Sequence, residues 1–199
     1  MRRTVTLRRF AVPSPADGIF LILLLGIPLG WSQAVLNTDG DAARHLRIGA
    51  AILDQGGLFY QDRFSHTMAG QPFVPYEWLS EVLFAGAWRL GGLPGVVALT
   101  ALVVSAAYGL LALFLHRKGV DPLLTFGVTA LSALAGAFHW LARPHIFTLL
   151  GTILLVGLLE RGRRAPWLVA LLFVVWTNLH GGFLFGLAII ALYLTADAL

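Results

Sequence analysis

Charged, imidazole and amide side chains recur at three places where long apolar stretches of the chain end or break. These residues are Asp39 and Asp41, Arg143 and His145, and Asn178 and His180. Carboxylates can accept a proton or bind a metal ion, whereas guanidinium, imidazole and amide groups can hold an anion. If the apolar stretches cross a membrane, all three places lie at its external face, which predicts a polar cavity there. Each group alone could instead be a helix-end residue whose apolar stem is buried.

The two acids after the first apolar stretch are the candidate catalytic residues. Asp39 and Asp41 are two positions apart, a spacing that brings both carboxylates to one metal ion or substrate if Gly40 is extended. Asp41 also suits the start of a helix, where its charge complements the helix dipole. His45, one turn later, lies on the same helix face as Asp41. The capping and chemical interpretations of Asp41 are compatible.

A second pair of acids lies further along, at Glu77 and Glu81. Their spacing of four places both on one helix face, where like charges destabilise the helix unless a cation lies between them. We expect both to face solvent, with substrate or metal binding as the alternative. Arg44, close to Asp41, completes the set of candidate substrate-binding residues.

The elements that must position these residues are membrane helices. Hydrophobic residues make up 58% of the 199-residue chain and charged residues 12%, with a mean hydropathy of +0.80. One small soluble core could not hide so much apolar surface, which predicts an all-α, polytopic integral membrane bundle. The chain has no cysteine, so disulfides and thiolate metal sites are excluded. Its basic residues form short clusters between apolar stretches, which is typical of topology signals, and no nucleic-acid partner is expected.

The chain divides into four parts. A basic N-terminus (1–15) is expected in the cytoplasm, followed by a first transmembrane helix (16–36), an external loop (37–93) and a helical bundle (94–199). The alternative for the first apolar stretch is a cleaved signal peptide, because residues 32–34 resemble a small-residue cleavage site.

The external loop is expected to carry two amphipathic surface helices, at 41–55 and 76–90. The second helix is assigned to the surface because of the later basic clusters, at 116–118 and 161–164. Both clusters lie on the cytoplasmic side if this helix does not span, as the positive-inside rule prefers.

Further spans are predicted at 94–115, 123–142 and 146–159. The last stretch, 166–199, is interrupted at 178–182, so it forms either two spans that meet at an external turn or one broken helix beside a cavity. Because the chain stops within an apolar stretch, we expect a fragment of a longer membrane protein or a partner-dependent subunit.

This order of parts resembles the N-terminal half of the GT-C fold glycosyltransferases, which use sugars carried on polyprenyl phosphates. Protein mannosyltransferases and lipid A aminoarabinose transferases belong to this superfamily. The stretches that carry the resemblance are TDGDAARHLRIG (38–49), YEWLSE (76–81), RPH (143–145) and WTNLHGGF (176–183).

The resemblance implies that Asp41, with Asp39 second, is the general base that activates the acceptor. It also implies that the leaving polyprenyl phosphate meets Arg143, His145 or His180. An acid pair interrupted by glycine replaces the family's adjacent pair, and Arg143 stands where other members have an acid. The need for a metal is therefore left open, and a divalent cation at the two aspartates is the one candidate cofactor.

The expected partners are the lipid bilayer, a polyprenyl-phosphate sugar and other membrane proteins, and the expected location is the inner cell membrane. Two alternatives to a transferase remain. One is a non-catalytic membrane subunit that packs against partners. The other is a transporter whose broken helix at 178–182 and His139 would provide polar groups within the bilayer.

Overall fold

The computed structural model of the protein describes residues 13–38, 40–161 and 166–198, and most of these residues are helical. Within these ranges there is no strand, and one isolated β-bridge joins Gln61 to Pro72. The helices are α1 (Pro15–Gly26), α2 (Ser32–Asn37), α3 (Asp41–Gln55), α4 (Trp78–Arg117), α5 (Pro122–Ala135), α6 (Ile146–Leu159), α7 (Pro166–Leu179) and α8 (Phe183–Ala198). The predicted all-α class is confirmed.

Helices α1 and α2 form one continuous rod joined by a π-helical turn at Ile27–Trp31. The rod begins where the Ser14 side chain accepts a hydrogen bond from the Asp17 N–H, while the Asp17 carboxylate accepts one from the Ser14 N–H. Pro28 lies in the widened turn, because proline has no N–H for the regular ladder. The rod's 23 residues extend about 34 Å, which exceeds a bilayer core of about 30 Å.

Helix α3 has the bounds predicted from its amphipathic pattern and ends at Gly56, which adopts a left-handed conformation with φ +71°. One face of the helix is buried, through Ala42, His45, Ile48, Gly49 and Ile52. This face packs on the first part of α4 and on a small apolar cluster of the following loop.

Helix α4 is interrupted at Gly91 and Gly92, at the point where the sequence predicts a division between a surface helix and a span. Gly92 has φ +61° and ψ −152°, a conformation that is essentially restricted to glycine. The part before the break lies along α3. The part after it is the central helix of the molecule and contacts α1, α5, α6 and α7.

Two described helices are long and apolar enough to cross a membrane, namely Pro15–Asn37 and Trp78–Arg117. Helices α5, α6 and α7 have 14 residues each and extend only about 21 Å. The predicted helix 123–142 is too long, because α5 ends at Ala135 and a 3₁₀ turn follows. The next segment is held in a non-helical path, since the Ala142 N–H donates to the Val35 carbonyl of α2 at 3.0 Å.

The last stretch of the chain forms two short helices, α7 and α8, that are joined by a turn. Trp176 of α7 is buried where a side chain at Gly151 of α6 or Gly186 of α8 would collide with its ring. Further along α8, the Tyr193 hydroxyl donates to Glu160 at the end of α6. Helix α8 therefore returns along α6 after the turn.

Candidate functional site

Candidate residues from four separate segments meet at one end of the bundle. Asp41 is the first residue of α3, Glu77 directly precedes α4, Arg143 lies in the segment before α6, and His180 follows α7. These positions are far apart in sequence, yet side-chain contacts join Asp41 to Arg143 and Glu77 to His180. The structure therefore brings these four residues close together.

Asp41 and Arg143 form the most accessible pair of this site. The Arg143 Nη2 donates to Asp41 Oδ2 at 2.5 Å, and the Asp41 side chain is 41% exposed and the Arg143 side chain 34%. Arg143 is positioned by its neighbour Ala142, whose N–H donates to the last turns of the first rod. A solute can therefore reach the Asp41 carboxylate while a cation remains beside it.

Glu77 and His180 form the second pair, with His180 Nε2 lying 3.6 Å from Glu77 Oε1. The Gly182 N–H donates to His180 Nδ1 at 3.0 Å, and the Thr148 hydroxyl lies 2.8 Å from the same nitrogen. Because a ring nitrogen that accepts a hydrogen bond carries no proton, the neutral ring has its proton on Nε2. That proton points toward the Glu77 carboxylate.

The protonation of this second pair is set by partial burial. Desolvation raises the pKa of the Glu77 carboxyl, and the charge of Glu81 raises it further, while His45 and the arginines nearby oppose the rise. Desolvation also lowers the pKa of His180, and Arg143 lowers it further. Both shifts favour the neutral forms of Glu77 and His180.

His45 and Glu81 form a buried third pair, which corrects the expectation that Glu81 faces solvent. His45 Nδ1 lies 3.2 Å from Glu81 Oε1, and each side chain is only 3% exposed. Helix α3 covers this face of α4 because Gly49 allows close approach. Glu77 is also less exposed than expected, at 12%. No hydrogen-bond partner is found for Glu81 Oε2 among the described residues.

His145 is oriented by the turn that precedes it. Its Nε2–H donates to the carbonyl of His139 at 2.8 Å, and its ring lies edge-on to the rings of His139 and His180. The pKa of His145 is lowered to about 4, mainly by desolvation; the hydrogen bond to His139 opposes this shift and the charge of Arg143 adds to it. His145 is therefore neutral near pH 7, and Arg143 supplies the positive charge here.

The remaining predicted residues have more varied positions. Asn178 accepts a hydrogen bond from Trp78 Nε1 at 2.6 Å and so ties the end of α7 to the start of α4. Arg44 is exposed on α3, and its charge acts on Glu77. Asp39 lies outside the described residues.

A metal-ligand set is not formed by the part of the chain that the structure describes, since no three His, Asp or Glu side chains converge there to hold an ion. Asp41 instead contacts a guanidinium.

No protein-family model, curated protein or solved structure matches this chain. Any functional assignment therefore depends on the motifs quoted above and on the geometry of the site.

Three contributors to the site were not among the predicted residues. Thr148 contacts His180, Trp176 Nε1 donates to Thr148 Oγ1 at 3.2 Å, and Trp78 binds Asn178. Trp78 and Trp176 belong to the stretches that carry the GT-C resemblance, which was the one available signal for them. No feature of the sequence marked Thr148 as a site residue, because a threonine in the first turn of an apolar helix is common.

Proposed function

We propose that this chain is a multi-pass membrane glycosyltransferase of the GT-C type, or the N-terminal part of one. It moves a sugar from a polyprenyl phosphate to an acceptor hydroxyl at the external face of the inner membrane. The observation that carries the proposal is the accessible Asp41 carboxylate beside Arg143, with Glu77 and His180 in the same cluster.

The proposed topology follows from where the loops lie. The candidate site and the loop after α3 are at one end of the bundle, whereas the basic turn after α4 and the end of α6 are at the other. With the basic end in the cytoplasm, as the positive-inside rule prefers, the site faces outward. In this arrangement α3 and the part of α4 before Gly91 lie at the membrane surface.

In the proposed reaction, Asp41 removes the proton of the acceptor hydroxyl as its oxygen attacks the anomeric carbon of the donor sugar. The bond from that carbon to the phosphate oxygen breaks, and the polyprenyl phosphate leaves with the electron pair. Arg143 stabilises the phosphate, because a guanidinium carries five N–H donors and can contact a phosphate while it stays beside Asp41. His145 and His180 act as neutral hydrogen-bonding groups.

The test is sugar transfer from a panel of polyprenyl-phosphate sugars by the purified, detergent-solubilised chain. We expect Asp41→Asn to lower the rate by about 100-fold or more, the range for loss of a general base. Asp54→Asn is the matched control, since Asp54 is also on α3 and also pairs with an arginine, Arg89, but lies at the other end of the helix. It should keep the wild-type rate.

Equal rates for the two variants would show that Asp41 is not the base. If the folded wild-type chain transfers no sugar from any donor, the non-catalytic subunit becomes the better assignment.

A further inference from the structure

A cavity lies between α4, α6 and α7, at the end of the bundle opposite the candidate site. Its volume is about 510 Å³, within the range of about 300 to 1,000 Å³ that is usual for ligand pockets. Thr148 at the site and Glu160 at this cavity are 12 residues apart on α6, which corresponds to about 18 Å. The cavity is therefore separate from the Asp41 cluster.

The cavity has an apolar body and a charged rim. Its body is lined by side chains such as Leu113, Leu154 and Leu171, and its charged residues all lie at the ends of α4 and α6. A long hydrocarbon chain fits such a body, because no buried polar group there would be left without a partner.

The rim is basic, with Arg117, Lys118 and Arg161 around the single acid Glu160. Glu160 already accepts hydrogen bonds from Lys118 and from Tyr193. No described carboxylate lies within ion-pair distance of Arg117 or Arg161. The rim thus has more positive charge than its one acid can balance.

The helix dipoles do not cancel this charge. The carboxyl ends of α4 and α6 each contribute about half a negative charge, whereas the start of α7 nearby contributes about half a positive one. The positive charge of the basic side chains exceeds the net negative charge of these helix ends, so the rim attracts an anion.

We propose that this cavity binds an anionic phospholipid of the cytoplasmic leaflet, with an acyl chain in the apolar body and the phosphate at Arg117 and Arg161. Such a lipid fits both parts of the cavity, since its hydrocarbon chain suits the apolar body and its negative headgroup suits the basic rim. The proposal requires the membrane location proposed above but not the transferase activity.

Gly157 allows a direct test, because it lines the cavity and a side chain there would meet nothing within 4 Å. Gly157→Leu places a larger apolar side chain at the cavity, and its Cβ meets no other atom within 4 Å. Gly127→Leu is the matched control, since Gly127 on α5 has equally open surroundings and does not line the cavity. Native mass spectrometry with added phosphatidylglycerol should show bound lipid on the wild type and the control, and a loss of it on Gly157→Leu.

The headgroup preference is tested at the rim. Arg117→Gln or Arg161→Gln should each lower the preference for phosphatidylglycerol over phosphatidylcholine about fivefold, as expected for one basic residue near an anionic lipid. Arg47→Gln, an exposed arginine on α3, should leave the preference unchanged. Equal binding of the two lipids by the wild type, or binding of a polyprenyl phosphate in place of phosphatidylglycerol, would overturn the proposal.

A second measurement does not depend on filling the cavity. Because the chain has no cysteine, Gly157→Cys creates a unique thiol. Phosphatidylglycerol should protect this thiol from a maleimide, and phosphatidylcholine should protect it less. Unchanged labelling with phosphatidylglycerol would contradict the proposal, and neither experiment uses sugar transfer as its signal.

Discussion

His45 and Glu81 show how the environment of a titratable residue can differ from what its sequence suggests. Both are polar residues on amphipathic helices, yet they face each other across the buried contact between α3 and α4. Such a pair offsets its loss of hydration only through good hydrogen bonds, and one oxygen of Glu81 has none among the described residues. Its contribution is therefore to orient the two helices that present Asp41 and Glu77.

His145 makes the stability of the protein depend on pH. Its folded-state pKa of about 4 is below the ordinary value of 6.5, so the unfolded chain binds more protons between these pH values. The free energy of unfolding should therefore fall as the pH decreases from about 6.5 to 4. The loss is about 2 kcal/mol, less than the full shift implies because the ring keeps some contact with solvent.

The measurement is chemical unfolding of the wild type and of His145→Gln in detergent at pH 7 and pH 4.5. The difference in stability between the two proteins should become smaller at the lower pH, because the variant lacks this ring. A difference that is the same at both pH values would mean that His145 keeps its ordinary protonation in the folded protein.

At the scale of elements, the contact between α3 and α4 depends on Gly49. A Cβ at this position would lie 1.9 Å from the Glu81 carbonyl oxygen and 2.9 Å from the Ala85 Cβ. Because the first of these atoms is backbone, Gly49→Ala must push the helices apart. We expect it to destabilise the protein by about 1 to 3 kcal/mol, the usual cost of overpacking, and to disturb the His45–Glu81 pair.

Gly86→Ala is the control for this substitution. Gly86 is on the same part of α4, but a side chain there meets nothing within 4 Å. Alanine should stabilise the helix by about 0.5 to 1 kcal/mol through its better helix propensity. Thermal unfolding of both variants tests this expectation. If Gly49→Ala were as stable as Gly86→Ala, α3 and α4 could move apart without a loss of stability.

At the scale of the whole molecule, the proposed topology places the loop after α3 and the turn after α4 on opposite sides of the membrane. His66 is exposed in the loop after α3, and His116 is exposed in the last turn of α4, next to the turn that follows it. In a chain without cysteine, His66→Cys and His116→Cys each introduce one thiol. An impermeant maleimide should label the first in intact cells and the second only after permeabilisation.

This experiment also decides how α4 crosses the membrane. If both parts of α4 crossed, on either side of the break at Gly91 and Gly92, the two thiols would lie on the same side. Labelling of both in intact cells, or of neither, would therefore contradict a surface position for the first part of α4.

Much of the helical framework could be predicted from the sequence because it depends on local chemistry. The bounds of α3 follow from its apolar periodicity and from Gly56, and the break in α4 follows from two adjacent glycines. The start of α5 follows from Asp121, whose side chain accepts from the N–H groups of Leu123 and Leu124. The end of α5 could not be predicted, because a hydrogen bond from Ala142 to a distant helix sets the path after it.

The sequence by itself determined where polar residues interrupt the apolar stretches. The order of those stretches was enough to predict that these polar segments lie at one end of the bundle. The tertiary structure alone decided the pairing of Asp41 with Arg143, of Glu77 with His180 and of His45 with Glu81. These contacts join residues on different helices, so they depend on helix rotation and separation. Burial of Glu81 follows from the same cause, because only the packed structure shows that α3 covers it.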